Sequence, residues 1–348
     1  MASPGMLRSA RWPYRVAAVG LLLSIGLTVL LCLFPVHEFD VWWHLKTGEL
    51  IVTGHSIPKT DPFSYTAQGR PWITHEWLAE VLFYGIHRLG GIDALVLFKA
   101  LLAALAIGLG AWAALLGPGR RDALAATALG ALLAGPMIAP RAFERPHMLT
   151  AVFLGVVLVL LRAESLTGRR RWRIALVPLF LLWANIHSGF VLGLGLIVAY
   201  WFGEAISPRL GERRPSSACN WKERWGVLAA ACVAALINPH HVHAFLYPFN
   251  LVGRQEVTET IVELRSIFHP SFAGALFLKA LLAFALIMGA LLVFSRRKLQ
   301  WEVLVPGIVF GFLAVRSIRG VSEFAILVPL LIGAHGTVLG ARLGWTAC

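Results

Sequence analysis

An acidic and aromatic segment, His37-Glu38-Phe39-Asp40-Val41-Trp42-Trp43-His44, follows the first long apolar run of the chain. A carboxylate next to such a run is costly unless water, a cation or an opposite charge compensates it. Asp40 is therefore a candidate catalytic group or metal ligand, and His44 a candidate substrate contact. The alternative is an ordinary cap, in which Asp40 accepts hydrogen bonds from the first amides of a helix. The spacing leaves both interpretations open.

A second acid lies beside a histidine in Thr74-His75-Glu76-Trp77, just before another apolar run. His75 and Glu76 are candidate catalytic residues, because such a pair can act as a general base or as a second cation contact. The alternative is again structural, with Thr74 as a helix cap and Glu76 favourable to the helix dipole.

Further polar residues interrupt the apolar sequence and are candidate substrate contacts: Arg145, His147, Asn185, His187, Arg316 and Arg319. Arginines suit a phosphate because the guanidinium group donates two parallel hydrogen bonds. The alternatives are Arg–Glu pairing within the turn from Arg141 to His147, a satisfied buried turn around Asn185, and simple anchoring by Arg316 and Arg319. A metal site at His240, His241 and His243 is disfavoured, because adjacent histidines on a helix cannot all face one way.

These residues are positioned by an all-α, polytopic bundle of transmembrane helices. Hydrophobic residues make up 58% of the 348 residues, the mean hydropathy is +0.72, and 14% of residues are charged. That surplus of apolar residues needs lipid to cover it, and the apolar runs approach the ~20 residues that cross a bilayer. About ten spans are predicted, at 15–35, 92–116, 123–139, 147–162, 174–187, 189–206, 225–238, 273–294, 301–315 and 321–339.

We interpret 1–348 as a single transmembrane domain with two large outer loops. The first loop, 36–91, contains two predicted interfacial helices near 40–53 and 75–89, and the second is 239–272. Arginines concentrate in the short loops between spans, which is typical of the cytoplasmic side, whereas eleven of the twelve histidines lie in or beside the outer loops. We therefore predict an integral protein of the bacterial inner (plasma) membrane with a cytoplasmic N-terminus. No basic face with interleaved aromatic residues is present, which argues against nucleic-acid binding.

The first outer loop resembles that of GT-C glycosyltransferases. Glu38-Phe39-Asp40-Val41-Trp42-Trp43-His44-Leu45 is similar to the acidic and aromatic segment of oligosaccharyltransferase catalytic subunits. Pro71-Trp72, His75-Glu76-Trp77-Leu78 and Gly90-Gly91 resemble the loop of protein O-mannosyltransferases and lipid A aminoarabinose transferases. In those families the first-loop acid is a catalytic base or binds a divalent cation, which implies the same of Asp40, with Mg²⁺ or Mn²⁺ as the cation. The usual Asp-Glu pair is replaced here by Glu38-Phe39-Asp40, and His75-Glu76 replaces the Pro-Pro of some relatives.

The resemblance implies transfer of a sugar from a polyprenyl-phosphate donor to an acceptor at the outer face. The lipid tail would enter from the membrane, the phosphate would contact Arg145, Arg316 or Arg319, and Asp40 would act with Glu76 or His75. Three other classes stay open: a transporter, a non-catalytic partner in envelope assembly, and another membrane transferase such as an acyltransferase, which the outer histidines fit but for which no paired motif is evident. A transporter predicts charges buried within spans, and few are evident here (Lys99, Lys279 and Glu204). Protein partners are not indicated.

Overall fold

The computed structural model describes residues 11–117, 119–207, 220–252, 261–294 and 299–342, and this part of the chain is helical. An isolated β-bridge joins Thr60 to Pro71. The helices are α1 (Arg11–Cys32), α2 (Asp40–Gly54), α3 (Trp77–Leu115), α4 (Arg120–Ile138), α5 (His147–Thr167), α6 (Arg170–Ile174), α7 (Leu176–Ala184), α8 (Phe190–Ile206), α9 (Trp221–Ala235), α10 (Val242–Val252), α11 (Leu276–Phe294), α12 (Trp301–Arg316), α13 (Ile318–Ala325) and α14 (Val328–Arg342). Short 3₁₀ helices cover Ala139–Arg141, Val262–Leu264 and Pro270–Phe272.

Five of the described helices are long and apolar enough to cross a membrane, and the pair α13–α14, bent by 47°, is a sixth candidate. Apolar side chains on the outside of α1 and α11, such as Leu22 and Leu286, are exposed, as expected of lipid-facing positions in an integral membrane protein. The predicted number of spans, about ten, is larger. Four of the predicted spans contain helices of 9, 17, 15 and 16 residues (α7, α8, α9 and α12), which are shorter than the ~20 residues of a straight crossing.

Two helices occupy the segment predicted as the first outer loop. Helix α2 starts at Asp40, and α3 starts at Trp77 and has non-helical backbone angles at Gly90 and Gly91. The two helices pack closely at Gly48, where an added Cβ would lie 2.2 Å from the carbonyl oxygen of Glu80. Gly48 therefore sets the distance between α2 and α3. The location of this segment at the outer interface stays a prediction.

Helix α5 separates two groups of buried charges. His147 begins the helix, whereas Arg162 and Glu164 lie near its other end, about 25 Å away at 1.5 Å per residue. At that far end, Arg224 pairs with Glu204 and Glu164, Arg173 pairs with Glu164, and Arg162 pairs with Glu302. The candidate site residues lie around the His147 end.

Candidate functional site

A carboxylate–histidine cluster, consisting of His44, His75, Glu76, Glu80 and His187, joins α2, the start of α3 and the turn before α8. His44 Nδ1 lies 3.2 Å from Glu80 Oε1 and 3.8 Å from Glu76 Oε2. Glu76 Oε1 lies 3.5 Å from His75 Nε2 and 3.3 Å from His187 Nε2. Glu76 is therefore surrounded by three imidazoles, each from a different segment of the chain.

Helix geometry explains how the cluster assembles. Glu76 and Glu80 are four residues apart at the start of α3, so their side chains lie on one face. His44 and Gly48 are related in the same way on α2, and the close approach at Gly48 brings His44 against Glu80. His44 and Glu80 are both almost completely buried.

A chain of hydrogen bonds fixes the His187 ring. The Gly189 amide donates to His187 Nδ1 at 2.9 Å, so Nδ1 carries no proton and Nε2 carries it toward Glu76. Thr150 also donates to Nδ1 at 2.9 Å and accepts from Trp183 Nε1 at 2.9 Å. A Cβ at Gly189 would lie 2.5 Å from Thr150 Oγ1, so this turn needs a glycine. The ring is held as a donor to Glu76.

The pKa values of His75 and His187 are shifted in opposite directions. Burial would raise the pKa of Glu76, but the charges and hydrogen bonding of the histidines, His75 foremost, lower that pKa to about 2. Burial would lower the pKa of His75, but Glu76 and the Ile73 carbonyl raise it. The Tyr247 ring contacts the His75 ring at 4.1 Å between centroids, tilted by 34°. Burial lowers the pKa of His187 to about 3, despite the opposing charge of Glu76. Glu76 thus favours the protonated form of His75 at 3.5 Å, and His187 is a neutral donor.

Part of the cluster can bind a metal ion. Among the described residues, His44, Glu76 and Glu80 form the one group whose ligand atoms all lie within 4.8 Å of one another. Glu80 Oε2 is buried and has no hydrogen-bond partner in this part of the chain, which is the kind of atom that a cation would satisfy. One imidazole and two carboxylates suit Zn²⁺ or Mn²⁺ better than Mg²⁺, which prefers oxygen ligands and water.

An arginine cluster, defined as Arg141, Arg145 and Arg319, lies at the start of α2 and converges on Glu263. Glu263 Oε2 lies 3.1 Å from Arg141 Nη2 and 3.0 Å from Arg319 Nη2, and Glu263 Oε1 lies 2.9 Å from Arg145 Nη1. Burial would raise the pKa of Glu263, but these arginines lower it. The turn from Arg141 to His147 therefore pairs with a distant acid and not with its own Glu144.

Asp40 connects the two clusters. Its carboxylate forms an ion pair with Arg145 Nη2, which also lies 3.2 Å from Glu38 Oε1. Asp40 is the first residue of α2 and Phe39 is the N-cap, with no side-chain capping bond. Thr74 also makes no cap, since its hydroxyl donates to the Pro58 carbonyl at 2.6 Å. Neither Asp40 nor Thr74 therefore makes a side-chain cap, and His44 follows Asp40 one turn later on the same helix.

The remaining candidate residues make contacts within the protein or are exposed. His147 Nε2 donates to the Arg141 carbonyl at 2.7 Å and so holds the arginine turn. Asn185 accepts from Trp77 Nε1 at 3.0 Å and donates to the carbonyls of Leu181 and Ile237, which ties α3 to α7 and to the turn after α9. Arg316 is exposed at the end of α12 and is not among the arginines that contact Glu263. Substrate contacts by these three residues stay predictions.

Several residues that belong to the two clusters or contact them were not among the sequence-based candidates: Glu80, Thr150, Tyr247 and Glu263. Glu80 has a detectable signal, because it follows Glu76 by four residues in a helical pattern. Thr150 also has a detectable signal in the sequence, because it is a hydroxyl residue near the start of an apolar helix. The pairing of Glu263 with arginines more than 50 residues away has no counterpart in local spacing.

Comparison with known proteins gives a structural match. No family model matches the sequence, and no curated protein matches it. One solved structure that is similar is ArnT from Cupriavidus metallidurans bound to undecaprenyl phosphate, with a TM-score of 0.52 and 20% sequence identity. The match covers 97% of this chain and 60% of ArnT, so the chain spans about 60% of the length of that protein. At this identity the likeness establishes the fold alone, and the chain shares the fold of ArnT over 97% of its length.

Proposed function

We propose that this protein transfers a sugar from a polyprenyl-phosphate donor to an acceptor hydroxyl at the outer face of the membrane. The observation that carries the proposal is the junction at Asp40. Within one turn of α2, an arginine cluster suited to phosphate adjoins a cluster of carboxylates and imidazoles suited to proton transfer. The ArnT structure with the same fold is bound to undecaprenyl phosphate.

In the proposed reaction the acceptor oxygen attacks the anomeric carbon of the sugar. The bond from that carbon to the phosphate oxygen breaks, and the lipid phosphate leaves with the bonding electrons. The arginines stabilise the charge on the departing phosphate. The acceptor proton passes to a carboxylate, for which Asp40 is the candidate, since it lies at the junction of the two clusters. Glu76, held by His75 and His187, orients the acceptor hydroxyl.

A divalent cation is part of the proposal. His44, Glu76 and Glu80 would hold it, and it would supply positive charge next to the acceptor. Asp40, the ligand implied by the first-loop resemblance, is paired with Arg145, so we favour the His44–Glu76–Glu80 group. Metal analysis of the purified protein tests this point, since Glu80→Gln should lose the ion and the exposed Glu49→Gln should retain it.

The test of the function is sugar transfer by purified protein in lipid, using a panel of polyprenyl-phosphate sugars. Asp40→Asn should abolish transfer while the protein stays folded. Glu49→Gln is the matched control, because Glu49 lies on the same helix and forms an exposed pair with Lys46, which contributes little. Unchanged transfer by Asp40→Asn would refute the role of Asp40. Absence of transfer from every donor would favour transport or envelope assembly.

A further inference from the structure

Glu263 occupies the centre of the arginine cluster. Its carboxylate, from the 3₁₀ helix Val262–Leu264, contacts three guanidinium groups from two segments, the turn from Arg141 to His147 and the start of α13. The side chain is about one-seventh exposed (14%), whereas that of Arg141 is almost completely buried (2%). Arg145 and Arg319 are more exposed than Glu263, so the carboxylate lies beside them at a partly accessible face, with Arg141 buried beneath.

The arginine cluster has more donors than Glu263 can use. Arg141 Nε and Nη1, Arg145 Nε and Arg319 Nε are buried and have no hydrogen-bond partner among the described residues. A carboxylate offers two oxygens and one negative charge, whereas a phosphate monoester offers three terminal oxygens and a charge of about −1.5 to −2. A tetrahedral dianion thus matches the unpaired donors better than Glu263 does.

The segment after Glu263 is anchored independently of the cluster. The Ile318 amide donates to the Arg265 carbonyl at 3.2 Å, and the Ser266 hydroxyl donates to the Val315 carbonyl at 3.1 Å. These bonds hold the chain to the junction of α12 and α13 without any contribution from the Glu263 carboxylate. Glu263 can therefore leave the arginines while Arg265 and Ser266 keep their backbone contacts.

We propose that Glu263 is a displaceable counter-ion, whose place on Arg141, Arg145 and Arg319 is taken by the phosphate of an isoprenyl lipid. That the phosphate belongs to a lipid rests on the proposed function, whereas the anion-binding site itself does not. Glu263 neutralises the buried Arg141, whose ion pair among the described residues is with Glu263 and which would otherwise be desolvated and unpaired. Because the phosphate must compete with the Glu263 carboxylate, removing the charge of Glu263 strengthens phosphate binding.

The experiment measures binding by full-length protein in detergent, using geranylgeranyl monophosphate, geranylgeraniol and inorganic phosphate as separate probes. We expect Glu263→Gln to bind the isoprenyl phosphate roughly tenfold or more tightly than wild type, since a charge-assisted contact is worth about 1.5–3 kcal/mol. Geranylgeraniol binding should not change. If Glu263→Gln bound inorganic phosphate more tightly but isoprenyl phosphate no more tightly than wild type, the ligand would be free phosphate and not a lipid.

Two further variants keep the test decisive. Glu263→Asp retains the charge and should not reproduce the gain, and Arg319→Gln should weaken isoprenyl phosphate binding in the Glu263→Gln background. Equal or weaker binding by folded Glu263→Gln, or no phosphate binding by any variant, would overturn the proposal. Binding is measured without sugar transfer, so tighter binding with no transfer would contradict the proposed function alone. Transfer without tighter binding would contradict only the counter-ion role.

Discussion

The ion pair between Lys99 and Glu144 makes a prediction about stability. Replacing one of the two residues should destabilise the fold strongly, whereas replacing both with apolar residues should not. Lys99 Nζ lies 2.6 Å from Glu144 Oε1, donates to the Phe34 carbonyl at 2.9 Å and lies 3.7 Å from the centre of the Phe34 ring. Both charged side chains are almost completely buried. Glu144 stands between Arg141 and Arg145 in sequence, so this pair anchors the turn that carries two arginines of the arginine cluster.

The magnitude follows from two opposing contributions. At an effective dielectric constant of about 20, unit charges 2.6 Å apart attract by about 6 kcal/mol, while desolvation costs several kcal/mol per ion. Lys99→Met should therefore lower the free energy of unfolding by roughly 3–5 kcal/mol, because it leaves a buried carboxylate unpaired. The double variant Lys99→Met/Glu144→Leu should be close to wild type or more stable, because neither charge remains.

The assay is unfolding in mixed micelles on titration with SDS, followed by the fluorescence of the 13 tryptophans. Lys46→Met is the control: it breaks the exposed pair with Glu49 and should cost about 0–1 kcal/mol. A double variant as unstable as Lys99→Met would refute the reasoning, because the cost would then come from packing and not from the unpaired charge. A Lys99→Met variant as stable as the control would refute the desolvation argument itself.

Three other predictions concern the geometry around the carboxylate–histidine cluster. Gly48→Ala should lower stability by roughly 1–3 kcal/mol and reduce sugar transfer, because the new methyl group meets the Glu80 carbonyl. The control is Gly85→Ala on α3, where an added Cβ has nothing within 4 Å, so SDS unfolding and transfer should be unchanged. Thr150→Val should cost about 1–3 kcal/mol in the same titration, because Trp183 Nε1 loses its acceptor, and Thr150→Ser should restore most of that loss. The third prediction concerns pH: between pH 6.5 and about 3, chelator-treated His187→Gln should lose less stability on acidification than wild type does. Burial lowers the pKa of His187 to about 3 in the folded protein. Over this pH range the imidazole therefore binds a proton in the unfolded chain but not in the folded one, so its contribution to stability falls as the pH falls. The same stability–pH profile in the variant and in wild type would contradict this.

Local patterns predicted the helices of the first loop closely. The predicted helix 40–53 is observed as Asp40–Gly54, and the break placed at the end of the loop occurs at Gly90 and Gly91. Both ends depend on signals within a few residues, namely polar and aromatic residues at the start and glycine at the break. Span number was less predictable, because an apolar run indicates that a segment is buried in lipid or protein but does not distinguish a full crossing from a shorter packed helix.

Contacts between distant residues decide the site, and sequence could predict only some of them. The placement of His75 beside Glu76 follows from adjacency, and that of Glu80 from helical spacing. The ring of His187 faces Glu76 only because α5 supplies Thr150 and α7 supplies Trp183. The partner of Arg145 was ambiguous, since Glu144 is adjacent in sequence but pairs with Lys99, whereas Asp40, Glu38 and Glu263 surround the guanidinium group. Such choices depend on how helices pack, which the sequence of one chain does not reveal.

The two polar ends of α5 show why the site is proposed where histidines lie, and not simply where charges are buried. The far end holds arginine–glutamate pairs, with Arg162, Arg173 and Arg224 matched by Glu164, Glu204 and Glu302. Arginine stays protonated at any physiological pH, so such pairs hold helices together but transfer no proton. At the other end, Glu76 is contacted by two imidazoles with pKa values shifted in opposite directions, upward for His75 and downward for His187. Proton transfer at neutral pH needs groups of that kind, and in the described part of the chain they meet beside the arginines that suit a phosphate.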